Sequence, residues 1–199
     1  ILTTFFAGFE TTSTALTWAW VMLARHPEVE ARLHAELDEV LGGRPPTAED
    51  LPKLRYLQQV LDETLRLYPS AFMLVREPEG DQELGGFTIP SGAIVFMSPW
   101  VLHRDPARWP DPERFDPERF APDAHTEHER SRFDYLPFGA GPRLCIGKQL
   151  ALMEAKLVLA TMAQRFAPRP VAGVEYRARP MFTLHVEGGA PMQPCPRQR

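Results

Sequence analysis

The densest grouping of chemically capable residues is the run Phe138-Gly139-Ala140-Gly141-Pro142-Arg143-Leu144-Cys145-Ile146-Gly147. Glycines at 139, 141 and 147 allow a tight backbone path and the close approach of a flat ligand. The pattern places Cys145 where that path turns into a helix. There, unpaired N–H groups and the helix dipole favour a thiolate, which is both a nucleophile and a metal ligand. Arg143 adds a positive charge suited to an anionic group. A glycine-rich turn around a buried cysteine would explain the cysteine alone. It does not explain the whole string, because five fixed positions (Phe138, Gly141, Arg143, Cys145, Gly147) would coincide by chance with a probability of roughly one in ten thousand at average composition.

Three further groupings carry charge or hydroxyls at helical spacing. In Ala7-Gly8-Phe9-Glu10-Thr11-Thr12, a glycine, one carboxylate and four successive hydroxyl residues (Thr11 to Thr14) are poor helix material amid apolar neighbours. Hydroxyls can bond back to carbonyls four residues earlier, Thr11 toward Ala7, which loosens or bends a helix; a mere polar kink is the plainer alternative. Glu63 and Arg66, three apart, point away from the Leu54/Leu57/Leu61/Leu65 stripe, as a surface pair worth a few tenths of a kcal/mol would. Tyr56 and Leu67 share that far face, however, so burial on both sides stays open. Asp111–Phe115 and Asp116–Phe120 are tandem copies of Asp-Pro-Glu-Arg-Phe, offering Arg114 and Arg119 as cations. Arg76 follows an apolar stretch and reads equally as an exposed strand arginine. His103, in His-Arg-Asp-Pro, reads as a structural hydrogen-bonder rather than a ligand.

These residues must be positioned by a chain that is helical first and turn-rich later. Residues 1 to about 25 lack proline and read as one helix, ended at His26-Pro27. Pro27 opens a second, with Val29, Leu33, Leu37 and Val40 or Leu41 on one face, stopped by Gly42-Gly43. Thr47, with Asp50 three residues on, marks the start of a third that runs to Pro69. Residues 84–89 and 93–97 read as a hairpin turning through Pro90-Ser91-Gly92. From Pro99 to about Pro142 the chain reads as irregular. So long a loop in a compact domain usually means function, or a segment draped over something it holds. A long helix should begin near Cys145 and reach about Phe166, with Leu150, Met153, Leu157 and Val158 on one side. A short hairpin is expected around Met181–Val186, and a frayed tail from Gly188.

Composition bounds the alternatives. The 199 residues favour one domain or a piece of a larger one, and 44% hydrophobic with 24% charged residues is ordinary for a globular protein. The net charge of −4 and the absence of a basic block argue against a nucleic-acid partner. Two cysteines are too few for a disulfide scaffold. The chain begins Ile1-Leu2 in what reads as helix interior, as a fragment lacking its start would. A missing leader or anchor therefore carries no message.

The string at 138–147 resembles the heme-binding loop of the cytochrome P-450 family of heme-thiolate monooxygenases, Phe-x-x-Gly-x-Arg-x-Cys-x-Gly, at every position. The resemblance implies heme b (iron protoporphyrin IX), with Cys145 as the iron ligand, Arg143 on a propionate, and Phe138 and Gly139 in the loop beside the sulfur. It makes Arg76 a second propionate partner. Glu10 and Thr11 become the acid–alcohol pair over the distal face, where an opened turn beside Ala7 accommodates oxygen; Glu10 relays protons and Thr11 directs them to the distal oxygen. It turns Glu63 and Arg66 into a buried ion pair completed by a later arginine. The family pattern Phe-x-Pro-x-x-Phe, fitted to Phe115–Phe120, selects Arg119 over Arg114.

The implied fold is mainly α with small β-sheets, the C-terminal portion of the cytochrome P-450 fold, with 1–187 as part of one domain and 188–199 as a flexible tail. The implied activity is a monooxygenase that hydroxylates or epoxidises a lipophilic substrate with dioxygen. Electrons would come from a ferredoxin or a flavoprotein reductase, since no such motif lies in the chain. A peroxygenase or isomerase, or a non-catalytic heme-binding fragment, are the alternatives. Free Cys145 implies a reducing, cytoplasmic setting, with an upstream membrane anchor left open. Substrate would touch Phe5, Ala7, Thr11, residues 71–74 and the turn at 174–178.

Overall fold

The computed structural model of the chain describes residues 2–124 and 131–197. Residues 125–130 of the expected irregular stretch, and 198–199 of the expected tail, lie outside the described residues. Helix α1 (Leu2–Arg25) ends at the His26-Pro27 step, and Pro27 opens α2 (Pro27–Leu41). Gly42 closes α2 in the left-handed region (φ 55°), donating its N–H to Asp38 O. Both boundaries fall where proline and glycine put them.

The third helix differs from expectation. Helix α3 spans Arg55–Leu67, not a run from Thr47. Asp50 does bond Thr47, but its carboxylate also takes a bidentate pair of hydrogen bonds from Arg44, and residues 48–53 form turns. The first amides of α3 are instead capped from another helix. Glu36 accepts Tyr56 N–H at 2.6 Å and Leu57 N–H at 2.9 Å.

All strands pair in antiparallel twos: β1 (Leu74–Arg76) with β4 (Val95–Met97), β2 (Gln82–Leu84) with β3 (Phe87–Ile89), β5 (Arg169–Pro170) with β8 (Met192–Gln193), and β6 (Ala178–Pro180) with β7 (Leu184–Val186). The hairpin expected to turn at Pro90-Ser91-Gly92 is therefore a correction. Gly85 (φ 60°) and Gly86 (φ 83°) make a two-residue turn inside the supposed first strand, and the second strand returns to β1. The 181–186 hairpin is present as β6–β7. The tail expected to be frayed is bonded to the body instead: besides β8, Ala167 N–H donates to Cys195 O and Arg197 N–H to Arg165 O, both at 2.8 Å. Between the strands and the cysteine loop, the described chain is irregular except for α4 (Pro99–Leu102) and a 3-10 turn at Pro117–Phe120.

Helix α5 (Lys148–Ala163) starts three residues after Cys145 and is shorter than the expected 145–166. It packs with α1, α2 and α3 around Leu33, Leu37, Leu57, Leu61 and Leu159. Trp18 of α1 anchors a second cluster with Tyr176 and Val186, donating Nε1–H to Leu184 O at 2.6 Å. Helix α1 thus touches both cores, and its 7–15 stretch is left facing a cavity.

Candidate functional site

The cysteine loop is built from backbone bonds that its glycines permit. Leu136 O accepts Gly139 N–H (3.1 Å) and Phe138 O accepts Cys145 N–H (2.9 Å), with a 3-10 turn at Gly141–Arg143 between. Gly139 (φ 72°) and Gly141 (φ 67°) occupy the left-handed region that a side chain would strain. At Gly147 a Cβ would sit 3.8 Å from Cys145 Sγ. Cys145 is a free, exposed thiol ahead of α5 rather than within its first turn. Cys195 is also free.

Cys145 lines an apolar cavity of about 480 Å³, a volume within the roughly 300–1,000 Å³ of small-molecule and cofactor sites. One wall is α1 (Ala7, Gly8, Thr11, Thr12, Ala15). The cavity is lined as well by the loop with Phe138, Gly139 and Cys145 and by Leu150, Ala151 and Ala155 of α5. Leu61 and Leu65 of α3, then Ser70, Ala71 and Leu74, form the side, and Arg76 and Arg143 both line it. Arg76 donates to the neighbouring Val75 O (2.8 Å). Phe138 carries the Lys148 ammonium 5.8 Å from its ring centre.

On α1, Thr11 Oγ1–H donates to Ala7 O at 2.6 Å, the back-bond that its spacing implies. Ser70 Oγ donates to Thr11 O at 2.8 Å. The helix nevertheless runs unbroken through these residues, so the opened turn is absent. Thr12 Oγ1, buried at the cavity wall, has no hydrogen-bond partner among the described residues. Thr12 belongs to the hydroxyl run legible in the sequence, whereas Ser70 and the α5 face carry no local signal beyond the helical spacing of Leu150.

Some expected residues stand elsewhere. Glu10 is outside the cavity, because the α1 residues that line it (Ala7, Gly8, Thr11, Thr12 and Ala15) recur at helical spacing on one face and Glu10 projects from another. Glu10 Oε1 accepts His185 Nε2 (2.8 Å) and Thr183 Oγ1 (3.1 Å) on β7 and its turn. Phe5 is 65% exposed, and the 174–178 turn packs through Tyr176 on the Trp18 cluster, so neither lines the cavity.

Behind the loop, Glu63 and Arg66 are fully buried. Arg66 donates Nε–H (2.6 Å) and Nη2–H (2.8 Å) to the Glu63 carboxylate, and reaches the carbonyls of His103 (2.7 Å), Pro112 (2.7 Å) and Arg114 (3.1 Å). Glu63 Oε1 also accepts Asp116 N–H (2.8 Å) and lies 3.4 Å from Arg119 Nε. Of the two candidate arginines, Arg119 meets the carboxylate and Arg114 lends only its backbone. Burying such charges is tolerable because every one is paired and hydrogen-bonded.

The family model for cytochrome P-450 matches residues 1–187. The chain belongs to the cytochrome P-450 family. Similar curated proteins include cyclooctatin synthase of Streptomyces melanosporofaciens, 48% identical over 99% of this chain and 42% of that protein. Another from the same organism, cyclooctat-9-en-7-ol 5-monooxygenase, is 48% identical over 87% of this chain and 37% of that protein. Protein LUTEIN DEFICIENT 5, chloroplastic, of Arabidopsis thaliana is 42% identical over 83% of this chain and 28% of that protein. The P-450 chain thus spans about two fifths, or less, of these relatives. Heme is the family's cofactor, and the chemistry of the lining fits it: one cysteine, two arginines and otherwise mostly apolar residues suit a flat macrocycle with anionic edges. No described helix is long and apolar enough to cross a membrane.

Proposed function

We propose that the full protein is a heme-thiolate monooxygenase that puts one atom of dioxygen into a C–H bond or double bond of a lipophilic substrate and sends the other to water. Two electrons come from a separate ferredoxin or flavoprotein donor. The observation carrying this reading is that Cys145 and the 7–15 stretch of α1 line the same apolar cavity. Cys145 would hold the iron of heme b, and Arg76 and Arg143 would neutralise its propionates. A thiolate-ligated heme supplies oxygen activation, the thiolate favouring O–O cleavage.

The chain's own groups supply shape and protons. Apolar walls at Ala7, Leu61, Leu65 and Ala155 exclude water and take hydrocarbon. Thr11 Oγ1 holds a proton at the cavity wall, now shared with Ala7 O. Glu10 could deliver one only after releasing Thr183 and His185, so its relay requires a side-chain rotation. The apolar walls support a largely hydrocarbon substrate, and the name of the cyclooctat-9-en-7-ol relative makes an alcohol of that kind the class proposed. Free Cys145 supports a reducing, cytoplasmic setting.

The test is the absorption spectrum of the reduced carbon monoxide complex of the full-length protein. The red-shifted Soret band of thiolate ligation is expected, and Cys145→Ser should abolish it. A histidine-type spectrum in the unaltered protein overturns the reading.

A further inference from the structure

His103 lends its carbonyl to Arg66, and its imidazole is fully buried with both ring nitrogens engaged. Its Nδ1 lies 3.1 Å from Arg66 O, at the end of α3. Its Nε2 lies 2.8 Å from Leu136 N, whose N–H can only donate. Nε2 must therefore be the acceptor and Nδ1 the protonated nitrogen, donating to Arg66 O. The contact with Arg66 is reciprocal, since His103 O accepts Arg66 Nη1–H.

From Leu136 the bonds continue into the cysteine loop. Leu136 O takes Gly139 N–H, and Phe138 O takes Cys145 N–H. A second tie runs parallel, from Tyr135 Oη to Asp62 O (2.8 Å) on α3, and the Tyr135 ring lies 5.3 Å from that of His103. The imidazole is thus the one side chain, among the described hydrogen bonds, that joins Arg66 directly to the backbone leading into the loop.

We infer that His103 is a positioning residue for Cys145: as the neutral Nδ1–H tautomer, it transmits the fixed geometry of the Glu63–Arg66 pair to the cysteine loop through Leu136. The inference rests on the heme-thiolate reading only for its meaning to the reaction, not for its test.

The asymmetry of the two ring nitrogens makes it testable. Glutamine at 103 can place an oxygen near the Nε2 position and still accept Leu136 N–H. Asparagine can donate to Arg66 O but cannot reach Leu136. In the heme-loaded full-length protein, His103→Asn should speed hydrogen exchange over 134–139 about tenfold, the factor one lost buried hydrogen bond corresponds to. His103→Gln should stay near the parent, and exchange in α3 should be equal in both. Equal loop exchange in the two variants overturns the inference, as does a rise spread evenly over α3 and α5. In the unaltered ferrous carbon monoxide complex, ¹⁵N shifts of His103 should report the Nδ1–H tautomer, and the Nε2–H form overturns the inference even if neither variant folds. The Soret position of that same sample reports separately on the thiolate reading.

Discussion

Glu63 and Arg66 are each satisfied by groups the other does not reach: the carboxylate by Asp116 N–H and Arg119, the guanidinium by three carbonyls of the irregular stretch. Neutralising one partner leaves the other charge buried and short of a counter-ion. Glu63→Gln should therefore cost about 3–5 kcal/mol, the range for broken buried pairs, measured as a shift of the urea unfolding midpoint at constant slope. Arg66→Lys should be nearly as damaging, because a lysine cannot grip a carboxylate in two places while reaching three carbonyls. Arg114 is exposed and gives only its carbonyl, so Arg114→Ala should stay within about 0.5 kcal/mol of the parent. A comparable loss there would mean that the second Asp-Pro-Glu-Arg-Phe copy is not the one that matters.

Helix α3 presents this pair, and its start is fixed from outside. Glu36 of α2 accepts the first two free amides, and an anion there also complements the helix dipole. Glu36→Ala should destabilise by about 1–2 kcal/mol, with faster exchange at Tyr56 and Leu57 while the Gly42 cap of α2 is untouched. Unchanged exchange at those two amides would show that α3 is held by packing alone. The same contrast explains what could be read in advance. Pro27 and Gly42 write the ends of α2 into the chain, and the glycines at 139 and 141 write the path of the loop. The start of α3 depends on a carboxylate 20 residues away, for which local spacing has no signal, so Thr47 and Asp50 drew the boundary to themselves. The Gly85-Gly86 turn was legible but lost to the stronger proline signal at 90. In the site, Thr11 and Cys145 followed from type and spacing, whereas the outward turn of Glu10 toward Thr183 and His185 joins residues over 170 apart.

At the scale of the whole chain, stretches at 7–15, 61–76 and 137–155 converge on one cavity, and the ties between them set how the fold responds to acid. Burial pushes the His103 imidazole down from 6.5 to about 4, with Arg66 and Arg104 facing it as further positive charges. Between those values the unfolded chain binds a proton that the folded one refuses, so stability falls with falling pH. The contribution is complete above pH 6.5, declines through the window, and is exhausted below about pH 4. Its size is about 3 kcal/mol. Asp62 acts with the opposite sign: burial raises its carboxyl, so acidification through its window favours the folded state. The His103 share is isolated by difference. Urea unfolding of the full-length protein and of His103→Gln, compared from pH 7 to pH 4, should give a steeper loss in the parent. A protonated ring would present a donor to the Leu136 N–H and open the path to Cys145, so loop exchange should rise over the same window in the parent only. Parallel stability curves would place the acid loss on other groups and leave the imidazole without a proton-linked role.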